Sequence, residues 1–263
     1  MLNKLLKYDL INAYKGLIVF YGLALFFAVF TRLFLSFENS LILHIIGQIC
    51  GGVTVSMMFN IIINNMMRLW VKFRQNIFGD ESYLTHTLPI KKQELYSSKF
   101  ITAFITNITS IGIIVLSLYI AYGTKEVLSG IKAMLNGFSA SLNITPFIIV
   151  IGILFILFIE FLNILQCGFT GLLLGHRRNN AKIGFSFLYG FIVYMLSQLF
   201  ILIIVFSVAL FDNDFMNLFV TNRIENINTI KAVTILATVG YTVICAVGYL
   251  INQKILKKGV NVD

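Results

Sequence analysis

Glu160 is the residue whose chemistry fits its surroundings least. It lies near the middle of an apolar run at residues 146–175, and a charged side chain at the centre of a bilayer costs at least about 2.5–3.5 kcal/mol. We therefore expect its carboxyl group to face protein or water, or to carry a proton. At 100° per residue, Asn163, Gly171 and Gly175 lie on the same side of a helix. This face is either a buried, hydrogen-bonded packing surface or part of a substrate or proton pathway.

Another apolar run, at residues 41–67, carries polar and small residues at a comparable spacing. Gly47, Gln48 and Gly51 lie three, four and seven residues after His44. Small residues let two helices approach closely, and the polar ones hydrogen-bond between them. The spacing predicts one polar and small face on this helix, comparable with the face that contains Glu160.

The sequence favours neither a metal site nor a nucleophilic site. Its histidines, His44, His86 and His176, fall in separate segments without an H-E-x-x-H spacing. All three cysteines lie inside apolar runs, where cysteine is typical as a small hydrophobic residue. We expect no catalytic residue, no metal and no cofactor in this chain.

The segment that follows residue 67 combines turn signals with apolar side chains. Asp80 or Ser82 fits the N-cap of a short helix, and Pro89 fits the first turn of the next one. Four apolar or aromatic side chains here lie outside the apolar windows: Ile77, Tyr83, Leu84 and Leu88. They are covered either by the membrane surface and the helical bundle or by a groove on a partner protein. If a partner binds this segment, Asp80 and Glu81 either lie at the rim of the contact or cap the short helix.

These residues must be positioned by membrane-spanning helices. The chain has 263 residues, of which 58% are hydrophobic and only 12% are charged, against ~25% charged in a typical soluble domain. Six windows reach the ~20 apolar residues that a bilayer requires: 17–37, 41–67, 100–122, 146–175, 183–211 and 232–251. With two prolines and no linker-like segment, residues 1–263 are predicted to form one all-α, polytopic membrane domain.

The distribution of basic residues predicts how the chain is oriented. One side carries 15 of the 20 basic residues: Lys4, Lys7, Lys15, Arg68, Lys72, Arg74, Lys91, Lys92, Lys99, Arg177, Arg178, Lys182, Lys254, Lys257 and Lys258. The other side has Arg32, Lys125, Lys132, Arg223 and Lys231. Because short cytoplasmic loops carry the excess of Lys and Arg, both termini are predicted to be cytoplasmic. The same rule accounts for the net charge of +9, so we expect no nucleic-acid partner.

The segment between the second and third windows resembles a known family. Gly79-Asp80-Glu81-Ser82-Tyr83-Leu84-Thr85-His86-Thr87-Leu88-Pro89, followed by Lys91, Leu95 and Lys99, is similar to the cytoplasmic loop of type-two ABC exporter permeases, in which G-D-E-x-Y-L-x-x-T-L-P recurs. A second similarity is the small-residue run Gly171-Leu172-Leu173-Leu174-Gly175, which ends near the basic pair Arg177-Arg178. Relatives often have Gln where His176 stands, so no role is carried over to this histidine.

The resemblance implies an exporter built from several chains. Its membrane part would have six spans, a cytoplasmic coupling helix near residues 80–89, and a second permease subunit, identical or homologous. Two cytoplasmic ATPase subunits would hold ATP and magnesium. This chain has no G-x-x-x-x-G-K-[ST] phosphate loop, so it is not expected to be an enzyme itself. The expected location is the plasma membrane of a bacterium, and a peptide, a lipid or a drug-like compound stays open as the substrate.

A stand-alone secondary carrier or channel is the alternative. In that case Glu160 would be a proton-coupling or filter residue in the transport pathway. An ATPase that co-purifies with the chain would distinguish the exporter from the carrier.

Overall fold

A computed structural model of the chain describes residues 2–37, 40–79, 81–87, 90–178, 180–210, 215 and 227–258. Within these ranges the regular secondary structure is helical, without strands. The helices are α1 Leu2–Leu35, α2 Leu41–Ile77, α3 Ser82–Thr87, α4 Lys92–Tyr122, α5 Lys125–Leu142, α6 Pro146–Gly175, α7 Lys182–Ser207 and α8 Ile227–Lys257, with a 3-10 turn at Val208–Leu210.

Six of these helices are long and apolar enough to cross a membrane: α1, α2, α4, α6, α7 and α8. The prediction of an all-α, polytopic membrane protein is confirmed. The remaining long helix, α5, has 18 residues, none of them buried.

The helices extend beyond several of the predicted windows. The first begins at Leu2, so the N-terminal segment and the first span form one helix. The second runs to Ile77, and its 37 residues extend about 55 Å, against ~30 Å for the hydrocarbon core. Helix α4, which contains the third predicted window, begins at Lys92, before the predicted start at residue 100. Helix α7, in contrast, ends at Ser207, before the predicted end at residue 211. The helices are longer than the windows because hydropathy identifies only the apolar part of a helix. Backbone hydrogen bonds continue the helix through polar residues as well.

The chain divides into two compact units, residues 1–131 and 132–263, with the boundary inside α5. The single permease domain over residues 1–263 stays a prediction.

In the first unit, α1 packs against α2 and α4. Its buried residues recur every three or four positions: Ala13, Leu17, Tyr21, Ala24, Ala28 and Thr31. Three alanines in this row let the neighbouring helices approach closely. Polar contacts support the packing, since the Tyr21 hydroxyl lies 2.8 Å from Ser110 Oγ on α4 and Thr31 Oγ1 lies 3.1 Å from Thr54 Oγ1 on α2.

In the second unit, α6 packs against α7 and α8. The contact with α7 depends on glycines: a Cβ atom added at Gly171 would lie 2.6 Å from backbone atoms of Gly190, and one added at Gly175 would overlap backbone atoms of Ser186. As the spacing predicts, small residues on this side of α6 permit close packing, and the polar residues of the same side therefore face α7.

Candidate functional site

The short helix α3 connects two spans and presents an aromatic side chain. Tyr83 is 76% exposed, whereas Ser82 is 2% exposed. Ile77, at the end of α2, is fully buried, so its own chain covers it and it needs no partner. Asp80, Leu88 and Pro89 lie outside the described residues, and of Leu84 the structure describes only the backbone. Tyr83 is therefore the described apolar or aromatic side chain of this segment that stays open to a partner.

Glu81 fixes the start of α3 against α2. Its backbone carbonyl accepts a hydrogen bond from the N–H of Thr85 at 3.1 Å, which places Glu81 at the N-cap position of the helix. Its carboxylate accepts hydrogen bonds from Lys72 Nζ at 3.3 Å and from Asn76 Nδ2 at 2.9 Å. The N-cap position therefore falls on Glu81 and not on Ser82, but the Glu81 side chain binds α2 instead of capping the helix. Whether Glu81 lies at the rim of a partner contact stays a prediction.

A buried ion pair lies directly behind this contact. Lys99 on α4 donates to Asp9 on α1 at 2.5 Å, and their side chains are only 8% and 13% exposed. Ser98 Oγ donates to the other carboxylate oxygen of Asp9 at 2.7 Å. Lys99 also donates to Asn76 Oδ1 at 3.0 Å. Asn76 thus links the ion pair to Glu81, and one polar network joins α1, α2 and α4 to the start of α3.

Glu160 lies in a second polar network, in the second unit. Its Oε1 accepts hydrogen bonds from the Tyr194 hydroxyl and from Gln198 Nε2, both on α7, each at 3.1 Å. The Tyr241 hydroxyl on α8 donates to Gln198 Oε1 at 2.7 Å. The other carboxyl oxygen, Oε2, is buried and accepts no hydrogen bond from the described residues. The arrangement holds three spans together and leaves one carboxyl oxygen able to bind a proton or a cation.

Further along α6, amides and hydroxyls continue the same contact. Asn163 Nδ2 donates to Ser197 Oγ on α7 at 3.1 Å, and Thr170 Oγ1 donates to Asn252 Oδ1 on α8 at 2.8 Å. Gln166 is 2% exposed, and neither its side-chain oxygen nor its nitrogen has a hydrogen-bond partner among the described residues. Asn163 therefore joins Glu160 on the side of α6 that faces α7, and a buried amide lies nearby.

The predicted polar and small face that includes His44 and Gln48 is covered only in part. Gly47 and Gly51 are buried, but His44 and Gln48 are exposed, and they contact each other at 3.4 Å between Nε2 atoms. Each glycine lies three residues after a polar residue, which is 300° around the helix, or 60° in the opposite direction. The glycines and the polar residues therefore occupy adjacent arcs of α2. Periodicity alone does not identify which arc is covered.

Further polar residues follow along α2. After His44 and Gln48 come Ser56, Asn60 and Asn64, all exposed or half-buried. Ser56, Asn60 and Asn64 each donate to the carbonyl four residues earlier at 2.9–3.0 Å. From residue 44 to residue 64 these side chains rotate by about 200° around the helix, so they wind around α2 and do not share one face. Side-chain amides with unused hydrogen-bonding groups are costly in hydrocarbon, so these positions favour contact with water or protein.

Residues just after the C-terminal end of α6 join this helix to α7 and α8. His176 is fully buried, with Nδ1 3.0 Å from the Leu172 carbonyl and 3.3 Å from Ser186 Oγ. Arg178 donates to the Tyr189 hydroxyl at 3.0 Å, and Arg177 donates to the Ile255 carbonyl of α8 at 3.3 Å. These contacts give the histidine and the basic pair roles in joining α6 to α7 and α8.

Several members of both networks were missed from the sequence. Asp9 is the one acid among the first 37 residues, and that isolation in a lysine-rich segment was a usable signal. Tyr194, Gln198 and Tyr241 were not connected with Glu160, because helical spacing within one segment does not show which residues of two different helices meet. No group of three or more His, Cys, Asp or Glu side chains that could hold a metal ion occurs among the described residues.

Comparisons of the chain with protein-family models, curated proteins and solved structures found no match.

Proposed function

We propose that this chain is the membrane permease subunit of a type-two ABC exporter. Its partners would be a second permease subunit and two cytoplasmic ATPase subunits that bind ATP and magnesium, since this chain has no phosphate loop. The substrate would be a peptide, a lipid or a drug-like compound. The location would be the plasma membrane of a bacterium, with both termini in the cytoplasm.

The observation that carries the proposal is α3. It is a short helix between two spans, it lies within the segment that resembles the family's coupling loop, and it presents Tyr83 at 76% exposure. An exposed aromatic side chain on a short helix suits the helix-in-groove mode of recognition.

In the proposed mechanism, ATP-driven closure of the ATPases displaces α3. Glu81 is hydrogen-bonded to Lys72 and Asn76 on α2, and Asn76 is hydrogen-bonded to Lys99 on α4. A displacement of α3 would therefore act on α2 and α4 through the same set of bonds. The spans would then change their packing and open the transport pathway to the outside.

Replacing Tyr83 with Ala is expected to weaken binding of the ATPase at least about 30-fold, because truncation of a buried interface anchor costs ~2 kcal/mol or more. Membrane insertion should not change, since Tyr83 lies outside the spans. The measurement is co-purification of the ATPase and its ATP hydrolysis in detergent. The matched control is Tyr119→Ala, which removes a tyrosine that is 60% exposed near the opposite end of α4. Full retention of the ATPase by Tyr83→Ala would contradict this role of α3.

The predicted orientation can be tested by cysteine labelling. In a chain without its three native cysteines, single cysteines at Lys91 and Lys257 should be shielded from an impermeant reagent in intact cells. A cysteine at Glu126 should react. The expectation follows from the distribution of basic residues. If cysteines at Lys91 and Glu126 react from the same side, the predicted topology is wrong.

A secondary carrier is the second candidate, and the Glu160 site is the observation that favours it. Its carboxyl oxygen Oε2 is buried and accepts no hydrogen bond from the described residues, and ionisable residues inside membrane spans often belong to ion or proton pathways. The decisive experiment uses the purified chain in proteoliposomes without ATP. Transport under an ion gradient alone would support the carrier, whereas transport that requires an added ATPase and ATP would support the exporter.

A further inference from the structure

A cleft of about 380 Å³ lies in the second unit, between the first halves of α6 and α8. Cys245 Sγ lies 3.8 Å from the Ile159 carbonyl, and further along both helices Thr170 donates to Asn252 at 2.8 Å. From the first contact to the second, the residue number rises on both helices, so α6 and α8 run parallel. They are in contact from Ile159 onward and leave the cleft open toward their N-terminal ends.

The lining of the cleft is almost entirely apolar. Ile148, Phe155, Ile235 and Val239 are typical of it. Gly152 also lines it, and a Cβ atom added there would meet no atom within 4 Å. The open space therefore arises where α6 lacks a side chain. Because both helices are long and apolar enough to span a membrane, hydrocarbon is the natural content of such a cleft.

Among the described residues that line the cleft, Lys231 is the one that is ionisable. It is half-buried, and no carboxylate among the described residues forms an ion pair with it. Thr234 and Thr238 also line the cleft, but their hydroxyls donate to the carbonyls four residues earlier. The N-terminus of α6 adds positive potential at this end, because the peptide dipoles of the helix are aligned, and Thr145 makes no side-chain cap hydrogen bond there.

We propose that this cleft binds an anionic phospholipid, with one acyl chain between α6 and α8 and the phosphate at Lys231. A volume of about 380 Å³ is within the range of small-molecule pockets, ~300–1,000 Å³, and is too small for a helix about 10 Å wide. A half-buried cation beside hydrocarbon is stabilised by a fixed anion, and a lipid phosphate supplies that anion from the bilayer. This proposal does not depend on ATP coupling, because it concerns the second unit alone.

The test compares lipid retention by the full chain. Nanodiscs contain equal amounts of phosphatidylglycerol and phosphatidylcholine with identical acyl chains, and native mass spectrometry identifies the lipids that stay bound after release into detergent. The wild type is expected to retain phosphatidylglycerol about fivefold over phosphatidylcholine, since a basic side chain contributes ~1 kcal/mol toward anionic lipid. Lys231→Gln should lose this preference and still bind lipid. Gly152→Phe, which fills the cleft, should lose the bound lipid altogether.

Two controls separate the site from general effects. Lys132→Gln removes an exposed lysine from α5 and should leave the preference unchanged. Gly112→Phe introduces the same bulk at a glycine of α4 whose added Cβ also meets no atom within 4 Å, and it should leave retention unchanged. If Lys231→Gln keeps the fivefold preference, the phosphate contact is wrong. If Gly152→Phe retains lipid as the wild type does, the acyl chain does not occupy this cleft. Lys231→Gln tests the proposal even if Gly152→Phe does not fold.

Discussion

Replacing Lys99 with Met is expected to lower the free energy of unfolding by about 3–5 kcal/mol, because it leaves a buried carboxylate without its partner. Lys99 and Asp9 are 8% and 13% exposed, and the lysine also binds Asn76. The variant keeps the length of the side chain and removes only the charge and the donors. Asp9 would retain the hydrogen bond from Ser98, which does not neutralise its charge.

The measurement is denaturant unfolding of the purified chain in detergent. The double variant Asp9→Asn with Lys99→Met removes both charges and should recover part of the lost stability. Lys72→Met is the matched control: Lys72 pairs with Glu81, but both side chains are more than 40% exposed, and exposed pairs contribute only ~0–1 kcal/mol. Equal effects of Lys99→Met and Lys72→Met would contradict a buried, desolvated pair.

Replacing Glu160 with Leu is expected to destabilise the second unit, whereas Gln should be tolerated. Leu leaves the Tyr194 hydroxyl and the Gln198 amide without their acceptor. Both residues are half-buried, so each lost hydrogen bond is expected to cost about 1 kcal/mol. Gln keeps an acceptor oxygen at the same distance along the side chain and removes only the charge. Expression yield and the unfolding midpoint in detergent would measure the difference.

The same pair of variants separates the two roles considered for Glu160. A Gln variant that is stable and fully active would indicate a packing role, whereas a stable Gln variant without transport would indicate a role in the pathway. Gln48→Leu is the control, because it also replaces a polar side chain in a span with Leu, but at an exposed position. It should cost little stability. If Glu160→Leu is as stable and active as the wild type, Glu160 has neither role.

The membrane-spanning helices could be predicted from the sequence, because hydrocarbon requires about 20 apolar residues in a row whatever the helices pack against. The windows were least accurate at their ends. Residues 2–16 and 68–77 are helical although they contain lysines, arginines and asparagines, since their backbone hydrogen bonds form within the helix and do not depend on lipid. The orientation predicted from basic residues, and the roles that the family resemblance implies for α3, stay predictions.

The networks could not be predicted, because they depend on which arcs of the helices meet. Helical periodicity placed Glu160 and Asn163 on one side of α6, but their partners lie 34–38 residues away on α7, and no local spacing connects them. The same periodicity placed His44 on a polar and small face of α2 without showing whether another helix covers it, and the tertiary structure leaves it exposed. Asp9 and Lys99 are 90 residues apart. Composition and periodicity determined where the membrane-spanning helices lie and which of their residues are costly in lipid. Only tertiary packing decided which of these costly residues pair with each other.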